Sequence, residues 1–161
     1  EFCLYWRQFN RHSINANNHE SGREHNLCLW QEQTNARIHQ KISLYDLTSH
    51  AFVKDLGWEK NYVECAAALA KKYDYVFTST HDVVINELIR RKEKFYIVYP
   101  YRHCKDEYIE RFKKRGNSDE YIKRFMNRWD LFLNNIENLM HVNKIALRRG
   151  QYLSDVLLRI K

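Results

Sequence analysis

Two short, uninterrupted apolar runs constrain the fold most: residues 75–78 (YVFT) and residues 95–99 (FYIVY). Runs of this kind are typical of parallel strands that are covered by helices on both faces of a sheet. Between them, Val84 and Leu88 lie four positions apart within residues 81–91, the spacing of one face of a helix. A strand, a helix and a second strand in this order predict a parallel βαβ unit.

The same alternation continues along the rest of the chain. Residues 42–45 are predicted to form a strand that ends at Asp46, and residues 62–73 are predicted to form a helix. Residues 145–147 are predicted to form a fourth strand, followed by a final helix over about 152–160. The sequence therefore predicts an α/β domain with a mostly parallel sheet flanked by helices, in which ligands bind at the carboxyl ends of the strands.

Two basic helices are predicted between the last two strands. The first spans residues 104–114 and ends at Gly116, because glycine readily adopts the left-handed conformation of a helix C-cap. Asn117 or Ser118 is predicted to cap a second, long helix. The apolar stripe of that helix is predicted to be core and consists of Ile122, Phe125, Trp129, Phe132, Ile136 and Leu139.

The positive charge of the chain is unevenly distributed. Residues 1–40 hold four Arg and four Glu, so the formal net charge of +7 lies entirely in residues 41–161. A basic surface implies anionic partners: nucleotides, nucleic acid or an acidic membrane surface. No run of 18 apolar residues and no secretory signal is found, and the four cysteines are scattered, so we expect a cytoplasmic protein with reduced thiols and no membrane partner. His25 and Cys28 have a possible ligand spacing, but no second pair accompanies them and no metal site is predicted.

Six short motifs follow one another in a definite order. They are YDLTSH (45–50), YVFTSTH (75–81), YIVYP (96–100), KDEYIERFKKRG (105–116), NRW (127–129) and GQYLSDVL (150–157). In this order and spacing they resemble the nucleoside monophosphate kinases among the P-loop kinases, especially small phage-type deoxynucleotide kinases. The resemblance covers about three-quarters of the chain, residues 41–161. It implies a P-loop kinase-like fold with a helical arginine-bearing lid, a (deoxy)nucleoside monophosphate as substrate, and ATP with Mg²⁺ as cofactors.

Three residues are candidates for catalysis. The pattern R-x-x-x-R-G at Arg111 and Arg115 is similar to the arginine lid of guanylate and thymidylate kinases, which closes over the donor phosphates. Asp46 ends a strand at the expected crevice, where a carboxylate would position the acceptor, a metal or the nucleophile. The alternatives are an ordinary solvated helix face for the arginines and a turn or cap role for Asp46.

Four further residues are candidates for substrate binding. Ser79, Thr80 and His81 follow the strand of residues 75–78, and Arg128 lies on the same helix face as Arg124. The alternative role of Ser79 or Thr80 is to cap the following helix. For His81 the alternative is a surface or packing residue in the first turn of that helix.

The chain departs from the kinase pattern at the phosphate-binding loop. That loop requires G-x-x-x-x-G-K-[ST], and none of the four glycines of this chain precedes Lys-Ser or Lys-Thr. Residues 1–40 are an atypical segment in which Asn and Gln supply ten residues. Two explanations stay open: a non-native reading frame, since the codons for residues 30–33 read one nucleotide later can give Gly-Lys-Ser, or a divergent family member.

Phosphoryl transfer is therefore expected only if a functional phosphate loop exists. A non-enzymatic nucleic-acid-binding protein is one alternative, because tyrosines interleaved with Lys and Arg can stack bases while neutralising phosphates. A catalytically inactive kinase relic is the other.

Overall fold

The computed structural model of this protein describes residues 3–6, 42–47, 49–157 and 160, with backbone alone for residues 3–6 and for residue 50. The predicted N-terminal segment, including the His25–Cys28 spacing and residues 30–33, lies outside the described residues except for one strand. Within the described residues, no helix is both long and apolar enough to cross a membrane.

Five strands form one sheet in the order β2-β3-β1-β4-β5. The strands are β1 (Cys3–Trp6), β2 (Leu44–Asp46), β3 (Tyr75–Thr78), β4 (Phe95–Pro100) and β5 (Asn143–Leu147). The pairs β2–β3 and β4–β5 are parallel, whereas β1 lies antiparallel between β3 and β4. Four strands therefore run in one direction, and their carboxyl ends share one edge of the sheet.

Helices connect these strands. They are α1 (Trp58–Ala70), α2 (Asp82–Arg90), α3 (Lys105–Lys114), α4 (Asp119–Asn127), α5 (Trp129–Asn138) and α6 (Ser154–Leu157). Two short 3₁₀ helices, Ser49–Ala51 and Arg102–Cys104, follow β2 and β4. The prediction of an α/β domain is confirmed, with a mixed sheet in place of the mostly parallel one.

Both faces of the sheet are buried. On one face, Val76 and Ile97 pack with α1, α2 and Ile136 of α5. On the other face, Phe77 and Val98 pack with the residues of α6. Alternate side chains of each strand enter opposite layers, which explains why β3 and β4 are apolar without interruption.

The described strands agree with the predicted ones except for β1. The bounds of β3 match the prediction. β2 differs from it at both ends, β4 only at its end and β5 only at its start, in each case by one or two residues. β1 was not predicted, because four residues with weak periodicity carry little local signal. Its place between β3 and β4 is set by tertiary pairing, with Leu4 opposite both Thr78 and Ile97.

The long helix predicted after Ser118 is in fact two helices. The break is at Arg128 (φ −100°, ψ 0°), whose N–H bonds to Phe125 O at 3.1 Å in a tightened turn. The next residue, Trp129, is buried and donates from Nε1 to Arg102 O at 3.1 Å. This bond ties the start of α5 to the turn after β4, a long-range contact that periodicity does not reveal.

Two of the predicted helix caps are confirmed and one is wrong. Gly116 adopts a left-handed φ of 82° after α3, and Ser118 Oγ accepts the Tyr121 N–H at the start of α4. The N-cap of α2 is His81, not Ser79 or Thr80, and it makes no side-chain cap bond. The helices α3 and α4 pack on each other around Phe112; we call this pair the helical arm.

A buried carboxylate links α1 and α2. Glu87 is only 5% exposed and accepts hydrogen bonds from Arg90 Nε at 2.6 Å and Arg91 Nε at 2.7 Å. Arg91 in turn donates to Lys60 O of α1 at 3.1 Å. The hydrogen bonds from Arg90 and then Arg91 lower the pKa of the Glu87 carboxyl from 4.5 to about 2.

We expect Glu87→Gln to lower the free energy of unfolding by about 1–3 kcal/mol at pH 7, the usual cost of losing hydrogen bonds to a charged group. Because the folded-state pKa of Glu87 is depressed, its contribution is complete above pH 4.5 and is lost as the pH falls toward 2. Urea denaturation at pH 7, 4 and 3 measures the difference. Glu64→Gln on the exposed side of α1 is the control, and equal losses for both variants at pH 7 would contradict the prediction.

Candidate functional site

The carboxyl edge of the sheet carries most of the predicted site residues. Here the term means the last residue of each strand from β2 to β5 and the residues that directly follow it. Asp46 is the exposed last residue of β2 and pairs with Phe77 of β3, two positions before Ser79. Ser79 and Thr80 are half-buried and follow β3, and His81 is exposed at the start of α2. The structure therefore brings Asp46, Ser79, Thr80 and His81 to the same edge.

The hydroxyl of Tyr62 joins the loops after β2 and β3. Tyr62 is fully buried in α1, and its hydroxyl donates to Leu47 O at 2.5 Å. The same oxygen accepts the Ser79 N–H at 2.8 Å. Tyr62 was predicted to lie in a helix, but no role was predicted for its hydroxyl. The spacing of apolar residues indicates which positions are buried and does not indicate their hydrogen-bond partners.

Ser79 and His81 form a polar pair at the start of α2. The Ser79 hydroxyl is hydrogen-bonded to His81 Nδ1, and the His81 ring meets Trp58 edge-on with the ring centroids 5.9 Å apart. The imidazole is thereby oriented from two sides. A hydroxyl and an imidazole before the first turn of a helix suit an anion, because the helix dipole and the N–H groups of the first turn favour negative charge there.

Three consecutive residues with side-chain hydroxyls, Thr78, Ser79 and Thr80, lie between the end of β3 and the start of α2. We call them the hydroxyl run. Thr78 is 6% exposed, and its Oγ1 has no hydrogen-bond partner among the described residues. An unsatisfied buried hydroxyl costs about 1–3 kcal/mol, and such groups in native structures point to an ordered water, an ion or a functional role. The hydroxyl run therefore places three hydroxyls, one of them without a described partner, at the carboxyl edge.

Arg111 is engaged by the protein itself. Its Nη2 lies 2.5 Å from Glu107 Oε1 and donates to Gln151 O at 2.8 Å. Its guanidinium lies 4.1 Å from the ring centre of Tyr152 and 4.9 Å from that of Tyr108. We call these five residues the arginine clamp, because they tie the helical arm to the loop after β5.

Arg115 and Arg128 have different surroundings from Arg111. Arg115 is exposed at the end of α3, where its Nε donates to Asn117 Oδ1 at 3.1 Å and its guanidinium lies 5.2 Å from the Phe112 ring centre. Arg128 is exposed at the break between α4 and α5. The structure thus separates the two arginines of the R-x-x-x-R-G pattern, holding Arg111 in the clamp and leaving Arg115 on the outside of the arm.

Arg102 was missed by the sequence analysis and organises the turn after β4. Its guanidinium binds three side chains of α5: Asp130 at 2.8 Å, Asn134 at 2.8 Å and Glu137 at 2.9 Å. Asp130, Asn134 and Glu137 are four and three positions apart, so they lie on one face of α5, and this spacing can be recognised in the sequence. The arginine that meets them is 28 to 35 positions away, and local spacing could not identify it.

The aromatic residues of the arm, and Trp129 at the start of α5, are mostly used in packing. Trp129 is 1% exposed, Phe125 is half-buried, and only Tyr121, at 37%, has substantial exposure. Phe112 contacts Tyr121 and Phe125 edge-on, with ring centroids 5.9 and 5.1 Å apart. Base stacking needs open ring faces, so this arrangement weighs against a single-strand binding surface along the arm.

The residues present do not fit a complete Mg²⁺–ATP site. The sequence lacks the glycine-rich loop that would hold the phosphates. In the part of the chain that the structure describes, no three His, Cys, Asp or Glu side chains lie close enough together to hold a metal ion.

Comparison of the chain with protein-family models, with curated proteins and with solved structures found no match. Its function is therefore inferred from its own residues.

We expect Tyr62→Phe to destabilise the protein by about 1–3 kcal/mol, because the substitution removes the donor to Leu47 O and leaves the Ser79 N–H without its acceptor. Chemical denaturation measures the loss. Tyr121→Phe is the matched control, since Tyr121 is exposed and its described contacts are ring contacts. A loss below about 0.5 kcal/mol for Tyr62→Phe, the range of ordinary surface substitutions, would show that the bridge does not hold the two loops together.

Proposed function

We propose that this protein binds a (deoxy)nucleoside monophosphate at the carboxyl edge, with the phosphate against the hydroxyl run and the first turn of α2. The observation that carries the proposal is the pair of half-buried hydroxyls at Ser79 and Thr80, which directly precede the start of a nine-residue helix, α2. The Thr78 hydroxyl beside them is buried and lacks a partner among the described residues. The motif resemblance to nucleoside monophosphate kinases supports the same class of ligand.

The start of α2 offers backbone donors as well as hydroxyls. The N–H groups of Val84 and Ile85 bond to His81 O, at 2.9 and 3.1 Å. The N–H groups of Asp82 and Val83 have no partner among the described residues, as is usual in the first turn of a helix. Such N–H groups and the adjacent hydroxyls are the donors that proteins use to bind phosphate.

Phosphoryl transfer from ATP is part of the proposal only if a functional phosphate loop is supplied. In that case the carboxylate of Asp46, at the end of β2, would position the acceptor, because Asp46 pairs with Phe77, the residue before the hydroxyl run. Arg115 is the better candidate for contact with phosphates, because it is exposed, whereas Arg111 would first have to leave Glu107 and Gln151.

We expect isothermal titration to detect nucleoside monophosphates and to show that Ser79→Ala weakens their binding about tenfold. One hydrogen bond to a charged group is worth about 1.5–3 kcal/mol, and 1.4 kcal/mol is a factor of ten. Ser43→Ala is the matched control, because Ser43 donates a similar hydroxyl bond, to Asp74, at the opposite edge of the sheet. Failure of every mononucleotide to bind, combined with salt-sensitive binding of single strands, would favour the nucleic-acid alternative.

We expect Arg115→Ala to lower the affinity for the monophosphate several-fold more than Lys113→Ala does. Arg115 can offer planar, permanently charged donors to a phosphate, whereas Lys113 is paired with Glu110 at 3.0 Å. Both side chains are exposed, so both variants should keep the free energy of unfolding within about 0.5 kcal/mol of the parent protein. Equal, small losses of affinity would assign the arginines to an ordinary solvated face.

A further inference from the structure

A cleft of about 390 Å³ lies between α2 and α5. It begins at Thr80, the last residue of the hydroxyl run, and at Asp82 in the first turn of α2. It then follows α5 as far as Leu139, at the end of that helix. Its volume falls in the range of about 300–1,000 Å³ that is usual for small-molecule sites.

The inner surface of the cleft is apolar. Ile85 of α2 and Ile136 of α5 are 3% and 2% exposed and close the inner side. Phe132 is half-buried and lies one turn before Ile136 on the same face of α5. A flat aromatic side chain beside two branched aliphatic ones provides a surface on which a planar ring can pack.

The rim of the cleft is lined with carboxamides. Asn86 projects from α2, and Asn135 and Asn138 project from α5. The side chains of these three asparagines and of Thr80 make no hydrogen bond to the described residues. Each carboxamide offers two donor hydrogens and one acceptor oxygen, so the rim can satisfy a ligand that carries both kinds of group.

The charge of the lining restricts the ligand further. Of the residues that line the cleft, Asp82 is the only charged one, and none is Lys or Arg. Because the lining offers no cation, the cleft favours an uncharged planar group over a phosphate. A phosphate joined to that group would lie at the start of the cleft, toward Ser79.

We propose that this cleft binds the base of a nucleoside. Phe132 packs against the face of the ring, and the carboxamides of Asn86 and Asn135 bond to its edge, as asparagine does when it recognises adenine. The inference rests on the proposed function, because the same ligand then places its phosphate on the hydroxyl run, which begins the cleft. A base and its phosphate thus occupy adjoining parts of one site.

The test uses isothermal titration with four deoxynucleosides and their 5′-monophosphates. We expect Asn135→Leu to weaken a deoxynucleoside and its monophosphate by the same factor of about ten, since a base contact of this kind is worth about 1–3 kcal/mol. Asn86→Leu, on the opposite wall, should have the same effect and guards against a folding defect in one variant. Asn127→Leu on α4 is the matched control, since Asn127 is exposed and lies outside the cleft.

The outcomes separate the two proposals. Monophosphate binding that responds to Ser79→Ala and not to Asn135→Leu or Asn86→Leu would overturn the cleft assignment and leave the proposed function standing. Deoxynucleoside binding that is lost in both asparagine variants, with no gain in affinity from the phosphate, would support the cleft and overturn the phosphate site. Binding of neither class would overturn both proposals.

Discussion

The burial of both faces of the sheet determines where the remaining elements can lie. Helices α1, α2 and α5 cover one face and α6 covers the other. Each connection from a parallel strand to the next helix therefore turns at the edge of the sheet where that strand ends. The backbone there has no ladder partners, so its polar groups need side chains, and Tyr62 supplies one hydroxyl to two loops. Helix α1 therefore both covers one face of the sheet and, through Tyr62, fixes the loops that follow β2 and β3.

Because Arg111 and Arg115 lie at different positions along α3, they make different contacts. Arg111 and Arg115 are four positions apart, yet Arg111 contacts the loop after β5 and Arg115 lies beyond it, at the end of α3. A ligand that recruited Arg111 would have to replace an ion pair, a carbonyl and two aromatic contacts. A ligand that recruited Arg115 would displace one surface hydrogen bond, to Asn117, and one aromatic contact, with Phe112. Under the proposed function, Arg111 therefore stabilises the arm and Arg115 is the phosphate contact.

The sequence predicted the elements whose signal is local and missed those set by distant contacts. Continuous apolar runs identified β3 and β4, and glycine at position 116 marked the end of α3. The placement of β1 depends on pairing with strands 70 to 95 positions away, and no run of four residues encodes that. The site follows the same rule: the carboxyl edge was predictable from strand order, whereas the bridging role of Tyr62 and the partners of Arg102 required the folded chain.

Under the proposed function, the distribution of charge suits a mononucleotide better than a polymer. The net charge of +7 belongs to residues 41–161, yet the cleft between α2 and α5 contains no Lys or Arg. A polynucleotide needs a continuous basic groove with open aromatic faces, but Phe125 of the arm is half-buried and Trp129 at the start of α5 is buried. A mononucleotide needs an uncharged region for its base beside one group of donors for its phosphate. The cleft and the hydroxyl run share Thr80, so the region proposed for the base adjoins the region proposed for the phosphate.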